Sequence, residues 1–211
     1  MNSVVFGILA YLLGSISFAV VVSRAFGLAD PRSYGSKNPG ATNVLRSGNK
    51  LAALLTLLGD GAKGWLAVFL VQTFGADYGA DVGADHADIA LVAFAVFYGH
   101  LYPIFLGFKG GKGVATAAGV LLGLSPWIGL GALIVWLATA AIFRYSSLAS
   151  LVATATAPLL CALVFGFDIR AMALVWMGVL IFIRHRPNIE KLRAGTESKI
   201  GQRKTDQPPA D

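Results

Sequence analysis

Long apolar runs broken by short polar stretches set the pattern of this chain. Residues 4–23, 51–74 and 89–106 each carry enough consecutive apolar positions to cross a hydrocarbon core of about 30 Å. A fourth run, 114–143, is 30 residues long, about 45 Å as one helix. Ser125-Pro126 lies inside it, and proline starts or breaks helices. The run therefore divides into 114–124 and 126–143. Two further segments, 148–166 and 171–183, complete a seven-segment reading. Its shortest member, 114–124, spans only about 16 Å and belongs beside a polar cavity. The expected fold is all-α: a polytopic helical integral membrane protein with about seven transmembrane segments. Residues 1–200 form one membrane domain, and 201–211 form a disordered polar tail.

Composition supports this and removes the rivals. Of 211 residues, 56% are hydrophobic, 25 are glycine and only 13% are charged. That share of apolar side chains is too large for a soluble domain. A single cysteine, Cys161, excludes a disulfide framework and a cysteine metal site. The net charge of +6 would suggest nucleic acid in a soluble protein, but its placement points to a membrane. No Lys or Arg occurs between Lys63 and Lys109, while Asp77, Asp81, Asp85 and Asp88 fall there. Basic residues gather in 24–50, at Lys109 and Lys112, and from Arg184 to Lys204. Positive residues stay cytoplasmic, so the N-terminus faces out, loop 75–88 faces out and the C-terminus is cytoplasmic. The first span has no preceding basic residue or clear cleavage site, so it reads as an uncleaved span.

Three polar motifs then share the cytoplasmic side, in loops 24–50, 107–116 and 184–199. The first runs from Gly35 to Arg46. Asn38 as a cap and Pro39 at the first position predict a helix that sets Thr42 and Arg46 on one face beside Asn43. Ser36, Asn38, Thr42, Asn43 and Arg46 offer donors and no acid, which suits an anion; a capped surface helix is the plainer reading. The second is Gly99-His100, then Lys109-Gly110-Gly111-Lys112-Gly113-Val114-Ala115-Thr116. Its glycines predict backbone N–H groups converging on a phosphate at a helix N-terminus, with Lys109 and Lys112 for charge and Thr116 for a hydroxyl; a flexible turn with positive-inside lysines is the plainer reading. It is not a Walker A loop, because Gly113 follows Lys112 where that motif has Ser or Thr. The third is Arg184-His185-Arg186-Pro187-Asn188, where His185 and Asn188 could meet one ligand, or where basic residues meet anionic lipid. Asp60 and Lys63, three apart inside a span, predict an ion pair, with Lys63 also an anion contact.

Absences narrow the chemistry. No cytoplasmic carboxylate cluster is available for a divalent metal, so neither a metal nor a cofactor is expected. No motif supplies a covalent Ser or Cys nucleophile. A small anion or phosphate transporter remains the alternative; against it, the polar motifs lie on one side and no inverted repeat is visible.

Taken together, these segments resemble the bacterial membrane glycerol-3-phosphate acyltransferases that use acyl phosphate, the PlsY family. The likeness runs from Gly14-Ser15-Ile16-Ser17-Phe18, where the family has Pro in place of Ser17, through Gly35–Arg46, Asp60 with Lys63-Gly64, and Gly99-His100. It continues in Lys109–Thr116, Arg184-His185 with Asn188-Ile189, and Glu197. The resemblance implies transfer of a fatty acyl group from acyl phosphate to the sn-1 hydroxyl of glycerol 3-phosphate. Lysophosphatidic acid and phosphate leave, in the bacterial inner membrane, with no nucleic acid, CoA or acyl carrier protein as partner. Ser36, Lys112 and His185 are the expected catalytic residues. Asn38, Thr42, Asn43, Arg46, Lys63, Gly110, Gly111, Gly113, Thr116 and Asn188 are the expected substrate contacts. Either His185 or a substrate phosphate oxygen takes the proton; the residues alone leave both open.

Overall fold

Apolar side chains line the outside of this molecule as well as its core. Leu163 is 82% exposed, Trp127 76% and Ile142 72%, an arrangement that only a lipid surround stabilises. The computed structural model describes residues 2–75 and 85–202. Ten α-helices and no strand occur among them. Met1, residues 76–84 of the acidic loop and the tail from residue 203 lie outside the described residues.

The helices are α1 (Asn2–Gly14), α2 (Phe18–Ala25), α3 (Ala41–Val44), α4 (Lys50–Phe74) and α5 (His86–Leu101), then α6 (Val114–Leu124), α7 (Pro126–Phe143), α8 (Ser146–Phe165), α9 (Ile169–Arg184) and α10 (Arg186–Arg193). Four helical segments are long and apolar enough to cross a membrane, or five if α1 and α2 count as one broken span. Local chemistry starts several of them. Asn49 accepts from the Ala52 N–H at the head of α4, and Asp168 does the same for Arg170 and Ala171 at α9. Ser125 accepts from the Trp127 N–H and Pro126 opens α7. The break expected at Ser125-Pro126 is therefore present, and α6 is as short as expected.

Glycines bring the helices together. A Cβ at Gly64 would strike the Thr116 carbonyl, and one at Gly119 would strike the Gly61 carbonyl. Small residues thus let α4 and α6 touch backbone to backbone, the usual basis of helix association in lipid. Gly14 and Gly99 do the same between α1 and α5.

Two expected elements are corrected. Residues 4–23 do not form one helix. The chain breaks at Ser15–Ser17 and bends by 40°. Hydropathy could not show this, because the freed Gly14 and Ile16 carbonyls are satisfied by Lys63 Nζ at 2.8 and 2.7 Å, on another helix. Nor do Asn38 and Pro39 start a helix. Gly40 is the cap and Ala41 the first helical residue, since Asn38 closes a turn whose carbonyl accepts from the Gly40 N–H.

Candidate functional site

A cavity of about 400 Å³ lies among α3, α4 and α6–α9. One end is polar and is walled by Ser36, Thr42, Arg46, Lys112, His185 and Asn188. The other end descends among apolar side chains, including Leu121, Leu133, Trp136, Ala157, Leu174 and Met177. A charged head and a hydrocarbon tail would each find their own solvent there.

The first loop supplies open side chains. Ser36, Thr42 and Arg46 are exposed and Asn38 half-buried at the cavity mouth. Asn43 differs. It is 2% exposed, its amide donates to the Pro31 and Tyr34 carbonyls, and its oxygen accepts from the Ser36 N–H. Asn43 therefore ties the loop into shape, and its donors are not free for substrate.

The second loop is buried. The Gly110 N–H donates to the Leu101 carbonyl and the Gly111 N–H to the His100 carbonyl. The expected convergence of these N–H groups on a phosphate is therefore corrected: they close the loop onto the end of α5. Glycine is required because a Cβ at Gly110 would strike the His100 and Leu101 carbonyls, and one at Gly111 the His100 ring. Gly113 takes φ +85°, and a side chain there would run into Phe97. Arg184 pins the loop from its other side, Nε to the Gly111 carbonyl at 3.1 Å and Nη2 to the Gly110 carbonyl at 2.5 Å. Anion donors remain in the first turn of α6, where the Val114 and Ala115 N–H groups have no partner among the described residues and both residues line the cavity.

Lys112 alone carries charge from this loop into the cavity. Its Nζ donates to Asn188 Oδ1 at 2.5 Å. The Asn188 amide donates to Glu197 Oε1 at 2.7 Å, which also accepts from Ser147 Oγ at 2.6 Å. Because a carboxylate only accepts, Glu197 turns the Asn188 NH₂ towards itself and its oxygen towards Lys112. Burial pushes the Lys112 ammonium down to about 8, against the pull of Glu197 and with help from Arg46 and Arg184. His185 is 3% exposed. Its Nδ1 lies 2.9 Å from the Ile181 carbonyl, an acceptor that fixes the proton on Nδ1 and leaves Nε2 as the acceptor. Burial first, then Lys112, lowers the imidazole to about 4, so His185 is neutral near pH 7.

Two expected contacts have other work. Lys63 is an ion-pair partner of Asp60 at 2.9 Å, as expected, but its remaining donors go to Gly14 and Ile16. An ammonium has three N–H groups, so none is left for an anion. Thr116 is fully buried in the seam of α6 with α4, away from the cavity lining. Three residues that were not assigned a site role emerge here. Arg184 and Glu197 act through the contacts just described, and Asp60 lines the cavity with His100 Nδ1 3.5 Å from its Oδ1. Two charges inside an apolar span were the available signal for Asp60. Nothing local marks Arg184, whose partners lie 73 and 74 residues away.

A bundle that spans lipid and holds a cavity polar at one end and apolar at the other is an integral membrane protein built to handle an amphiphilic anion. The family profile described as "Glycerol-3-phosphate acyltransferase" matches residues 4–195. The glycerol-3-phosphate acyltransferase of Ralstonia nicotianae is 63% identical over 203 residues, covering 96% of each chain. That of Herminiimonas arsenicoxydans is 62% identical over 204 residues, covering 97% of this chain and 98% of the relative. The crystal structure of PlsY, an integral membrane glycerol 3-phosphate acyltransferase, superposes in its glycerol 3-phosphate form with a TM-score of 0.84 and 38% identity, covering 94% of this chain and 96% of that one. Its lysophosphatidic acid form gives a TM-score of 0.81 over 94% and 95%. The chain belongs to the glycerol-3-phosphate acyltransferase family and is an acyltransferase.

Proposed function

We propose that this protein moves a fatty acyl group from an acyl phosphate to the primary hydroxyl of glycerol 3-phosphate, giving lysophosphatidic acid and inorganic phosphate. The observation that carries this reading is a cavity whose cationic mouth passes directly into an apolar interior. Lys112, with the first N–H groups of α6, holds the phosphate of the donor while the acyl chain runs down among α6–α9. Arg46, Ser36, Asn38 and Thr42 hold glycerol phosphate at the mouth. His185 Nε2 accepts the hydrogen bond of the attacking hydroxyl and orients it, with Asn188 beside it. A neutral imidazole near 4 is a weak base, so we assign the proton to a phosphate oxygen, whose second pKa is about 6.

The hydroxyl oxygen attacks the acyl carbonyl, the carbon–oxygen bond to phosphate breaks, and Lys112 stabilises the charge that gathers on the departing phosphate. Phosphate leaves readily, so no covalent enzyme intermediate is needed. Catalysis then rests on positioning and charge. The same reading treats 1–200 as one membrane domain of the bacterial inner membrane. It places the N-terminus outside and the site on the cytoplasmic side, where positive loops belong.

The test uses purified protein in detergent with glycerol 3-phosphate and either palmitoyl phosphate or palmitoyl-CoA, following lysophosphatidic acid and phosphate. Product from palmitoyl phosphate only is expected. Product from palmitoyl-CoA alone would overturn the donor and the leaving-group role of Lys112.

A further inference from the structure

The acyl half of the cavity has a base, and we infer that this base sets how long an acyl chain the enzyme accepts. The inference rests on the reading above that the apolar end receives the acyl chain. Helices α6 and α7 meet at the Ser125-Pro126 corner, and both line the cavity, α6 through Leu121 and Leu122 and α7 through Gly129, Ala132 and Trp136. Near the corner they are in contact, because a Cβ at Gly129 would strike Leu122. The cavity lies against this pair, a wedge whose other walls are α8 and α9.

Each wall shows where the wedge stops. Leu174 is the deepest lining residue of α9, ten residues from Arg184, or about 15 Å. Ala157 is the deepest of α8, eleven residues past Ser146, or about 16 Å. Beyond them the interior is full. Ile128 is 1% exposed, Cys161 and Ala171 0%, and Leu124 7%, and all four pack in the main apolar cluster. A packed interior has no spare methylene-sized space, so a chain that reaches this layer meets a floor.

The floor is built from small side chains. Gly129 is the lining residue of α7 nearest the corner, and Ala132 and Ala157, each 6% exposed, also line the cavity. Higher up, the Trp136 indole N–H donates to Ser150 Oγ at 3.1 Å, which fixes the large ring against the α7–α8 wall and keeps it from filling the base. Ala132 and Ala157 are thus specificity-determining positions: their missing side-chain volume is the room for the last methylenes of the acyl chain.

Each methylene denied burial is worth about fourfold in binding, so a side chain that fills the room of three or four methylenes costs long donors on the order of 100-fold. The experiment measures kcat/KM for acyl phosphates from decanoyl to octadecanoyl with glycerol 3-phosphate, in wild type, Ala157→Phe and Leu174→Ala. Ala157→Phe is expected to raise the decanoyl-to-palmitoyl ratio about 100-fold, and Leu174→Ala to move the optimum to longer chains. Thermal melting of each variant checks folding. An unchanged length profile in both variants would overturn the inference and mean that the chain leaves sideways past Leu122 and Leu133 into lipid. An equal loss at all lengths in both variants would overturn it too. Wild type that fails on every acyl phosphate but turns over acyl-CoA would strike the donor reading alone, and the same length series on acyl-CoA then decides the inference.

Discussion

The two glycine-bearing loops at the mouth of the cavity are built in opposite ways. Loop 35–46 is shaped by one buried amide, Asn43, and presents Ser36, Thr42 and Arg46 on its exposed side. Loop 110–113 is held on both sides, against His100 below and Arg184 above, and presents one charge to the cavity, Lys112, while the neighbouring Lys109 is exposed. A loop with exposed donors can adjust to a water-soluble substrate that comes and goes. A loop wedged between two helices holds one charge at one place, which is what a developing charge requires. The difference teaches that similar compositions of Gly, Lys and polar residues can serve capture in one loop and fixed placement in the other.

Removing the fixed charge tests that division most severely. Lys112→Ala should lower kcat by about 10²–10³ or more, the range seen when a transition-state donor is lost; full activity in that variant would remove the leaving-group assignment. Moving the charge without deleting it comes next. Gly111→Ala must displace the His100 ring or the loop, so kcat should fall by about 10²-fold with KM little changed. A rise in KM alone would show that this loop, too, only captures substrate.

The open loop should behave in the reverse manner. Arg46→Ala is expected to raise KM for glycerol 3-phosphate about tenfold or more while kcat stays within a few-fold, the signature of lost uniform binding. Steady-state kinetics in both substrates separates the two outcomes. His185→Ala should raise KM and leave measurable kcat if the proton passes to phosphate as proposed; complete loss of kcat in a folded variant would give His185 the role of general base.

The smallest effect is a shift in pH dependence. Lys112 is lowered to about 8 by burial, so its charged form, the form proposed to hold phosphate, is present below that value and lost above it. In the free enzyme kcat/KM should fall as pH rises through about 8. Glu197 supports the charged form, so Glu197→Gln should move this limb to lower pH. An unmoved limb would mean that another group sets it.

Much of this was legible in the chain. Each of the seven apolar segments has a helix, the Ser125-Pro126 corner included, and Lys112, His185, Asn188 and Arg46 come together from three distant motifs. What escaped depends on partners that no local pattern names. Gly110 and Gly111 looked like a phosphate cradle because glycine permits one, yet the same residues also permit a close approach to α5, and packing used that. The Asp60–Lys63 pair was legible, but Lys63 also looked able to contact an anion, because the carbonyls that take its other donors lie 49 and 47 residues away in the chain. Thr116 stands one turn into α6, but the helix turns it to the α4 seam. Asn43 sits among anion-binding types and spends its amide on the backbone.

The Lys63 contact with the broken first segment also bears on how the protein is made. The Gly14 and Ile16 carbonyls that it satisfies lie in apolar surroundings, where an unpaired backbone group costs several kcal/mol. A ribosome delivers residues 2–25 before it delivers α4. Until Lys63 arrives, a bent segment lacks this partner for those carbonyls, so the bend gains its full support only when α4 docks.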